Sequence, residues 1–165
     1  DDLVAAAAEY NPSAKLVLTA SEITAADPAA LAGKRVLAVE DGPTVTHGGM
    51  RYGAAALAAR AAGAAELVSA KPYAVGSLRD TFAAYPHMDA VLPAMGYSAG
   101  QLGDLAATID ATPCDVVAIG TPIDLGRLID IRHPSVRVTY RVVDTSVPTL
   151  DEVIDEFCAR HGIGN

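Results

Sequence analysis

The sequence has little sulfur and few aromatic residues, and it contains no long apolar run. It has no tryptophan, two phenylalanines and two cysteines, Cys114 and Cys158. Two cysteines cannot form a disulfide framework, and their spacing is not that of a metal site. No apolar stretch approaches the roughly 20 residues that a bilayer requires, and no signal-peptide pattern opens the chain. We therefore expect a cytoplasmic domain with reduced thiols, a mainly aliphatic core and no membrane partner.

Positive charge is also scarce. Twelve lysines and arginines stand against 20 aspartates and glutamates, which gives a formal net charge of −8. Nucleic acid is not expected as a partner, because a phosphate backbone needs a cationic face. A small anion held by a few local N–H groups and arginines stays compatible with this charge. The length of 165 residues and a hydrophobic fraction of 51% predict a single globular domain over residues 1–165.

The common nucleotide and hydrolase motifs are missing. No Gly-x4-Gly-Lys-Ser/Thr loop occurs, and Gly48 to Gly53 does not follow the dinucleotide Gly-x-Gly-x-x-Gly pattern. There is also no His-Glu-x-x-His zinc motif and no Gly-x-Ser-x-Gly nucleophile elbow. We therefore do not expect this chain to hydrolyse a nucleoside triphosphate by itself.

Strand and helix patterns alternate along the chain. A helix is expected to end before Asn11, and later helices are predicted from Tyr52 to Ala62 and after Ser77, Ser98 and Thr149, with Gly63 as a left-handed cap. Apolar or alternating segments predict strands at 15–19, 35–39, 65–69, 89–93, 115–119 and 136–143. This alternation predicts an α/β fold, a three-layer Rossmann-like domain with a mainly parallel sheet flanked by helices.

The last predicted helix carries a regular apolar stripe. Its members follow helical spacing, and they are Leu150, Val153, Ile154, Phe157 and Cys158. Such a stripe is typical of a helix that packs against the core. We therefore predict that this face is buried and has no direct functional role.

The loop after the apolar run 36–39 is the strongest site candidate. Residues 40–53 concentrate two carboxylates, two threonines, a histidine, an arginine and four glycines where a strand passes into a helix. In an open α/β sheet, ligands bind at the carboxyl ends of the strands. The loops expected to meet there are 40–53, 71–73, 93–98 and 120–124. Turn geometry alone also explains glycine and proline in such loops, and Ser98 alternatively only caps its helix.

Three residues of this loop are candidates for catalysis and metal binding. Glu40 and Asp41 have the carboxylate oxygens that Mg²⁺ takes together with substrate phosphates, although either residue alternatively caps or turns the chain. His47 is a candidate general acid or base, or a phosphate ligand as an imidazolium; its alternative is a loop histidine bonded to backbone. We predict His47 and Asp41 as the catalytic residues.

Hydroxyl, glycine and charged side chains in the same loops are the candidates for substrate and phosphate binding. Glycines let backbone N–H groups approach an anion, and arginines form phosphate forks. The candidates are Thr44, Thr46, Gly48, Gly49, Arg51, Tyr97, Ser98, Thr121 and Asp124. Arg79 and Arg127 are further possible forks, although helix arginines are usually solvated. The other histidines, His87, His133 and His161, are interpreted as structural or exposed.

Four segments in order suggest a family. The segments Val39–Met50, Lys71–Ser77, Val91–Ser98 and Gly120–Leu125 resemble the carboxy-terminal part of the cyclic 2,3-diphosphoglycerate synthetase family and its P-loop relatives described as predicted GTPases. The resemblance extends from about Lys15 to Tyr140. It implies that this chain is the C-terminal part of a longer protein whose P-loop region would precede Asp1.

The resemblance also implies an activity. Proteins of that family use ATP to close 2,3-diphosphoglycerate into a cyclic phosphoanhydride with Mg²⁺. The implied partners are a phosphorylated small-molecule substrate and Mg²⁺ with ATP or GTP bound mainly by the upstream P-loop domain. A second copy of the protein is a further candidate partner. Ser21 and Glu22 fall where similar NTPases place a loop near the nucleotide base. The alternative function is a regulatory or ligand-binding domain without chemistry of its own, and we do not expect the isolated chain to be active.

Overall fold

A computed structural model describes residues 2–164 of the protein. The chain divides into two compact units. The central unit is Ile23–Tyr140, and the terminal unit combines Asp1–Glu22 with Arg141–Asn165. The single domain over residues 1–165 stays a prediction.

Helices and strands alternate through the described residues. The helices are α1 (Asp2–Tyr10), α2 (Gly42–Thr46), α3 (Ala54–Ala61), α4 (Ser77–Ala84), α5 (Ala99–Ala111) and α6 (Leu150–His161). The strands are β1 (Thr19–Ala25), β2 (Arg35–Asp41), β3 (Glu66–Leu67), β4 (Leu92–Ala94), β5 (Val116–Gly120) and β6 (Ser135–Asp144). Of the helices described, none combines the length and the apolar character needed to cross a membrane.

The six strands form one sheet with β2 near its middle. Its order is β1-β6-β5-β2-β3, and β4 also pairs with β2. The pairs β2–β3, β2–β4, β2–β5 and β5–β6 are parallel. Because β3 pairs with the start of β2 and β4 with its end, these two short strands share one side of β2. The predicted fold class, an α/β domain with a mainly parallel sheet flanked by helices, is confirmed.

The core is built around β2 and β5. Residues 36–39 and 116–119 are all buried, as expected for parallel strands that are covered on both faces. Helix α3 packs against both strands, and α4 packs against α5. Alanines of α3 are buried because their small side chains let this helix lie close to the sheet. These contacts hold the ends of β2 and β5 in fixed positions.

The first predicted strand is misplaced. It was expected at 15–19, but β1 begins only at Thr19. Leu16 and Leu18 are exposed, and the backbone of Leu18 bonds to Thr145 and Ser146 instead. An apolar run therefore marked a segment that lies just before the strand.

The helix-entry patterns are correct in position but not always in mechanism. Ser98 and Thr149 form capping boxes at the starts of α5 and α6, as predicted. Helix α4 does begin at Ser77, but Asp104 of α5 accepts both its backbone N–H and its hydroxyl at 2.8 Å. Gly63 has the expected positive φ of 78° after α3. Helix α2 was not predicted, since residues 40–53 were interpreted as a continuous loop.

The apolar stripe of α6 is not buried in this structure, which corrects the prediction. Helix α6 contains no buried residue, and Leu150, Ile154 and Phe157 are about half exposed. The stripe correctly indicated a helix with an apolar face. It did not determine what covers that face, because periodicity carries no information about the partner surface.

Candidate functional site

The register of the sheet brings three predicted loops to one edge. Asp41 lies beside Ala94 on β4, and Glu40 lies beside Gly120 on β5. The chain therefore leaves β2, β4 and β5 at the same level. We call the loops that follow, residues 41–53, 95–98 and 121–124, the carboxyl rim. After β2 the chain forms β3 and β4 on one side of this strand and then β5 on the other. The rim therefore includes a topological switch point of the kind that binds ligands.

The buried side chain of Glu40 connects the end of β2 with the start of α3. Its carboxylate is 1% exposed. The atom Oε1 accepts hydrogen bonds from the backbone N–H groups of Gly53 at 3.0 Å and Ala56 at 2.8 Å, and Oε2 accepts one from Ala55 at 3.1 Å. These groups are the free donors at the start of α3. Glu40 therefore joins the end of β2 to the start of α3 and fixes both ends of the loop between them.

Two glycines make room for this carboxylate. A Cβ atom at Gly53 would lie 2.6 Å from Oε2 of Glu40, and one at Gly120 would lie 2.9 Å from the same atom. Burial raises the pKa of Glu40, and its three backbone hydrogen bonds oppose this shift without cancelling it. The nearby charge of Asp41 raises the pKa further.

The predicted Mg²⁺ ligands fit the ion unequally. Both oxygens of Glu40 are occupied by backbone donors, so this side chain does not fit the role of a hard-cation ligand. Asp41 uses Oδ2 to accept the hydroxyl of Thr44 at 3.0 Å and leaves Oδ1 without a partner among the described residues. Within residues 2–164, no group of three His, Cys, Asp or Glu side chains is placed to hold a metal ion. A Mg²⁺ ion here stays a prediction that rests on Asp41.

Helix α2 positions the first part of the rim. Asp41 precedes this helix as its N-cap residue, and His47 follows it as the C-cap residue. The hydroxyl of Thr46 is buried and donates to the carbonyl of Gly42 at 2.8 Å, 3.1 Å from Nδ1 of His47. Thr44 and Thr46 therefore donate their hydroxyl groups to acceptors within the same loop. The imidazole of His47, in contrast, is exposed.

Helix α2 packs tightly against β4. A Cβ atom at Gly42 would lie 2.4 Å from the carbonyl oxygen of Ala94 and 2.6 Å from Sδ of Met95. Only glycine permits this approach, which holds the loop after β2 against the loop after β4. The predicted substrate residues Gly48, Gly49 and Arg51 lie beyond α2 and are exposed.

The other two rim loops contain the remaining substrate candidates. Tyr97 is 45% exposed, and Ser98 uses its hydroxyl to cap α5. Thr121 is buried and donates its hydroxyl to the carbonyl of Ile123 at 2.6 Å. Asp124 is exposed and forms an ion pair with Arg127 at 3.4 Å. The functions assigned to these residues stay predictions, since their present bonds explain the loop geometry.

Several candidates lie outside the rim. Ser21 and Glu22 are on β1 in the terminal unit, where Glu22 pairs with Arg141. Nε of Arg79 donates to the carbonyl of Ala74 at 2.8 Å. The ring of His87 lies 2.9 Å from the carbonyl oxygen of Val45, in agreement with the structural interpretation of this residue.

Sequence reasoning missed Arg137. This residue lies on β6, and its guanidinium donates to the carbonyls of Ile123 at 2.8 Å and Pro122 at 2.9 Å. It thereby holds the rim loop after β5. The only available signal was an arginine inside an alternating strand, which reads equally well as a solvent-facing position.

Comparisons with known proteins give one informative relative. The chain is 49% identical over 149 residues to the protein named Arginine synthetase ArcE from Thermococcus kodakarensis. The match covers 90% of this chain and 33% of that protein, so the chain spans about a third of the relative's length. No family model matches the sequence, and no solved structure matches it. Over most of its length, the chain is thus similar to part of a protein named as a synthetase.

Proposed function

We propose that this chain is a domain of a nucleotide-dependent synthetase, and that the carboxyl rim binds the substrate of that enzyme. The single observation that carries the proposal is the 49% identity to Arginine synthetase ArcE over 149 residues. Proteins with this level of identity share a fold, and this supports a rim built from the corresponding segments of the relative. A nucleoside triphosphate would supply the free energy for bond formation.

The rim provides the parts that such an enzyme needs from a substrate domain. Catalysis by a synthetase depends mainly on positioning the reactants and on stabilising charge. The ends of β2, β4 and β5 are held level by the sheet, and Glu40 fixes the return of the first loop. In this proposal His47 moves a proton, because its ring is exposed next to the switch point. Asp41 orients a cationic or hydroxyl group through its free oxygen.

The finer question is the substrate. The name of the relative favours arginine formation, and we propose arginine or a close analogue as the product. An alternative within the same class is the ATP-driven closure of 2,3-diphosphoglycerate to a cyclic phosphoanhydride, which rests on the resemblance of four segments, three of which contribute to the rim. The two chemistries differ in the charge of the ligand, so binding measurements separate them.

A thermal-shift experiment tests the proposal on the chain itself. We would record the melting temperature with arginine, with 2,3-diphosphoglycerate and with ATP and Mg²⁺. A ligand that binds only the native state raises this temperature by mass action. We expect arginine to raise it, and we expect Asp41→Asn and His47→Ala to remove the shift while leaving the ligand-free melting temperature nearly unchanged.

Matched control variants come from the terminal unit. Asp155→Asn and His161→Ala change the same residue types on α6, and both should keep the full ligand shift. A shift with 2,3-diphosphoglycerate alone would support the phosphoanhydride chemistry. If no ligand shifts the protein, or if all four variants respond like the unmodified chain, the rim is not the binding site.

A further inference from the structure

Only some of the hydrogen-bond donors of the Arg137 guanidinium have acceptors among the described residues. Its Nη1 atom donates to the carbonyl of Ile123 at 2.8 Å and approaches Oγ1 of Thr121 at 3.4 Å, while Nη2 donates to the carbonyl of Pro122 at 2.9 Å. An arginine side chain has five N–H donors. Among the described residues, Nε and one hydrogen of Nη2 have no acceptor. Nε and Nη2 share one edge of the planar group, from which two N–H groups can be presented side by side.

The free edge has the geometry that recognises an oxyanion. Two parallel N–H groups on a guanidinium match the two oxygens of a carboxylate or phosphate, and such paired hydrogen bonds are short and strong. The contacts with Thr121, Pro122 and Ile123 hold the plane of the guanidinium in place. The fork is therefore oriented before any ligand arrives, which reduces the entropic cost of binding.

No carboxylate of the described residues neutralises this charge. The nearby acid of the same loop, Asp124, is paired with Arg127. Arg51, Arg60 and Arg79 also lack an acidic partner among the described residues, whereas five arginines are paired with acids, as in Arg35 with Glu66 and Arg132 with Asp110. Arg137 instead meets only carbonyl and hydroxyl oxygens, which are neutral. A half-buried cation without an anionic partner attracts an external anion.

A cavity of about 290 Å³ adjoins this group. It lies at the carboxyl end of β5, beside the first half of β6, and is lined by Thr121, Pro122, Arg137, Val138, Thr139 and Tyr140. The walls combine hydroxyl groups with the half-exposed ring of Tyr140. The size is at the lower end for ligand sites and suits a small anion or one end of a larger ligand.

We propose that this cavity is an oxyanion subsite in which Arg137 binds a carboxylate or a phosphate group through its Nε and Nη2 edge. The subsite lies next to the rim loop that Arg137 itself holds. It goes beyond the proposed function, and it rests on that function only in the choice of arginine as one of the two probes.

Calorimetric titration of the full chain distinguishes the two sources of the anion. The two probes are inorganic phosphate and arginine, and the control ligand is agmatine, which is arginine without its carboxylate. Binding of phosphate supports a phosphate subsite. Binding of arginine that is lost or at least about tenfold weaker with agmatine supports a carboxylate subsite, because a paired charged hydrogen bond contributes an effect of this size.

Variants connect this binding to Arg137. Arg137→Lys keeps the positive charge but lacks the planar fork, and we expect the Kd of the bound probe to rise about tenfold or more. Arg137→Gln should bind more weakly still. Arg35→Gln is the matched control, since Arg35 is a strand arginine that is already paired with Glu66. The melting temperature of each ligand-free variant shows whether the rim loop has remained folded.

A spectroscopic measurement avoids dependence on the variants. The Nε–H resonance of Arg137 in the unmodified chain should shift and saturate as phosphate or arginine is added. An unchanged resonance with both probes, or Arg137→Lys binding as tightly as the unmodified chain, overturns the subsite. If phosphate shifts this resonance but arginine does not bind at all, the subsite stands and the proposed arginine chemistry fails.

Discussion

The central and terminal units contrast sharply in what they bury. Every buried apolar side chain of the core lies between Leu31 and Val138, inside the central unit. Helices α1 and α6 of the terminal unit contain no buried residue among those described. Yet α5 and α6 begin with the same capping box, built on Ser98 and Thr149. Local signals therefore form both helices, whereas only tertiary contacts decide which one contributes to the core.

The largest expected difference comes from two matched leucines. Leu37→Ala removes a fully buried side chain from β2, and we expect the free energy of unfolding to fall by about 2–5 kcal/mol, because a cavity adds to the lost burial. Leu150→Ala removes a side chain of α6 that is 48% exposed, and the loss should stay below about 1 kcal/mol. Urea unfolding measures both. Equal losses would remove the contrast between the units.

The next largest effect concerns Glu40. Glu40→Ala leaves three backbone N–H groups at the start of α3 without their acceptor, and we expect a loss of about 1–3 kcal/mol. The control is Glu66→Ala, which removes an exposed glutamate paired with Arg35 and should cost less than about 1 kcal/mol. Urea unfolding of both variants at neutral pH provides the comparison. If Glu40→Ala lowers the free energy of unfolding no more than Glu66→Ala does, the hydrogen bonds that Glu40 accepts at the start of α3 are not needed for stability.

The raised pKa of Glu40 also predicts a direction for pH dependence. In the native state this carboxyl keeps its proton to a higher pH than the ordinary value of 4.5. Between 4.5 and the raised pKa the native state binds more protons than the unfolded chain, so the contribution of Glu40 to stability falls as pH rises through that window. Hydrogen bonds from Ser77 lower the pKa of Asp104 below its ordinary value of 3.8. The contribution of Asp104 to stability therefore rises with pH in the window just below 3.8.

Glu40→Gln isolates this contribution. The amide cannot ionise, so the fall in unfolding free energy above pH 4.5 should become smaller in the variant than in the unmodified chain. Urea unfolding at a series of pH values measures the slope. An unchanged slope in the variant would mean that Glu40 is not the group responsible.

A smaller effect comes from the two capping boxes. Ser98→Ala should lower the free energy of unfolding by about 1 kcal/mol, because α5 buries Leu105 and Ile109 and its start is part of the cooperative core. Thr149→Ala should mainly increase fraying of α6 and change global unfolding by less. Urea unfolding together with amide hydrogen exchange separates the two cases. A larger global loss for Thr149→Ala would reverse the comparison.

The same contrast explains how much the sequence could predict. Strands β2 and β5 were found because a continuous apolar run there coincides with actual burial, and the start of α5 was found because Ser98 forms a capping box. Strand β1 was misplaced because Leu16 and Leu18 are apolar but exposed, while the strand itself runs through the polar segment Thr19–Ala25. The face of α6 was misjudged because a pattern shows which side is apolar and not what covers it.

Site prediction had a similar limit. Strand ends and parallel topology suffice to place Asp41, Thr121 and Ser98 near one edge, and the register agrees with this. The role of Glu40 depends on donors 13 to 16 residues away, and that of Arg137 on carbonyls 14 and 15 residues away. These are tertiary contacts, and no local pattern in the sequence specifies them.

Backbone amide NMR of the chain during titration with arginine, and separately with inorganic phosphate, tests most directly whether the carboxyl rim is the binding site. We expect saturable shifts to concentrate in residues 41–53, 95–98 and 121–124 and beside Arg137, with α1 and α6 unaffected. Shifts confined to the terminal unit, or no saturable shift in the rim with either ligand, would contradict the assignment.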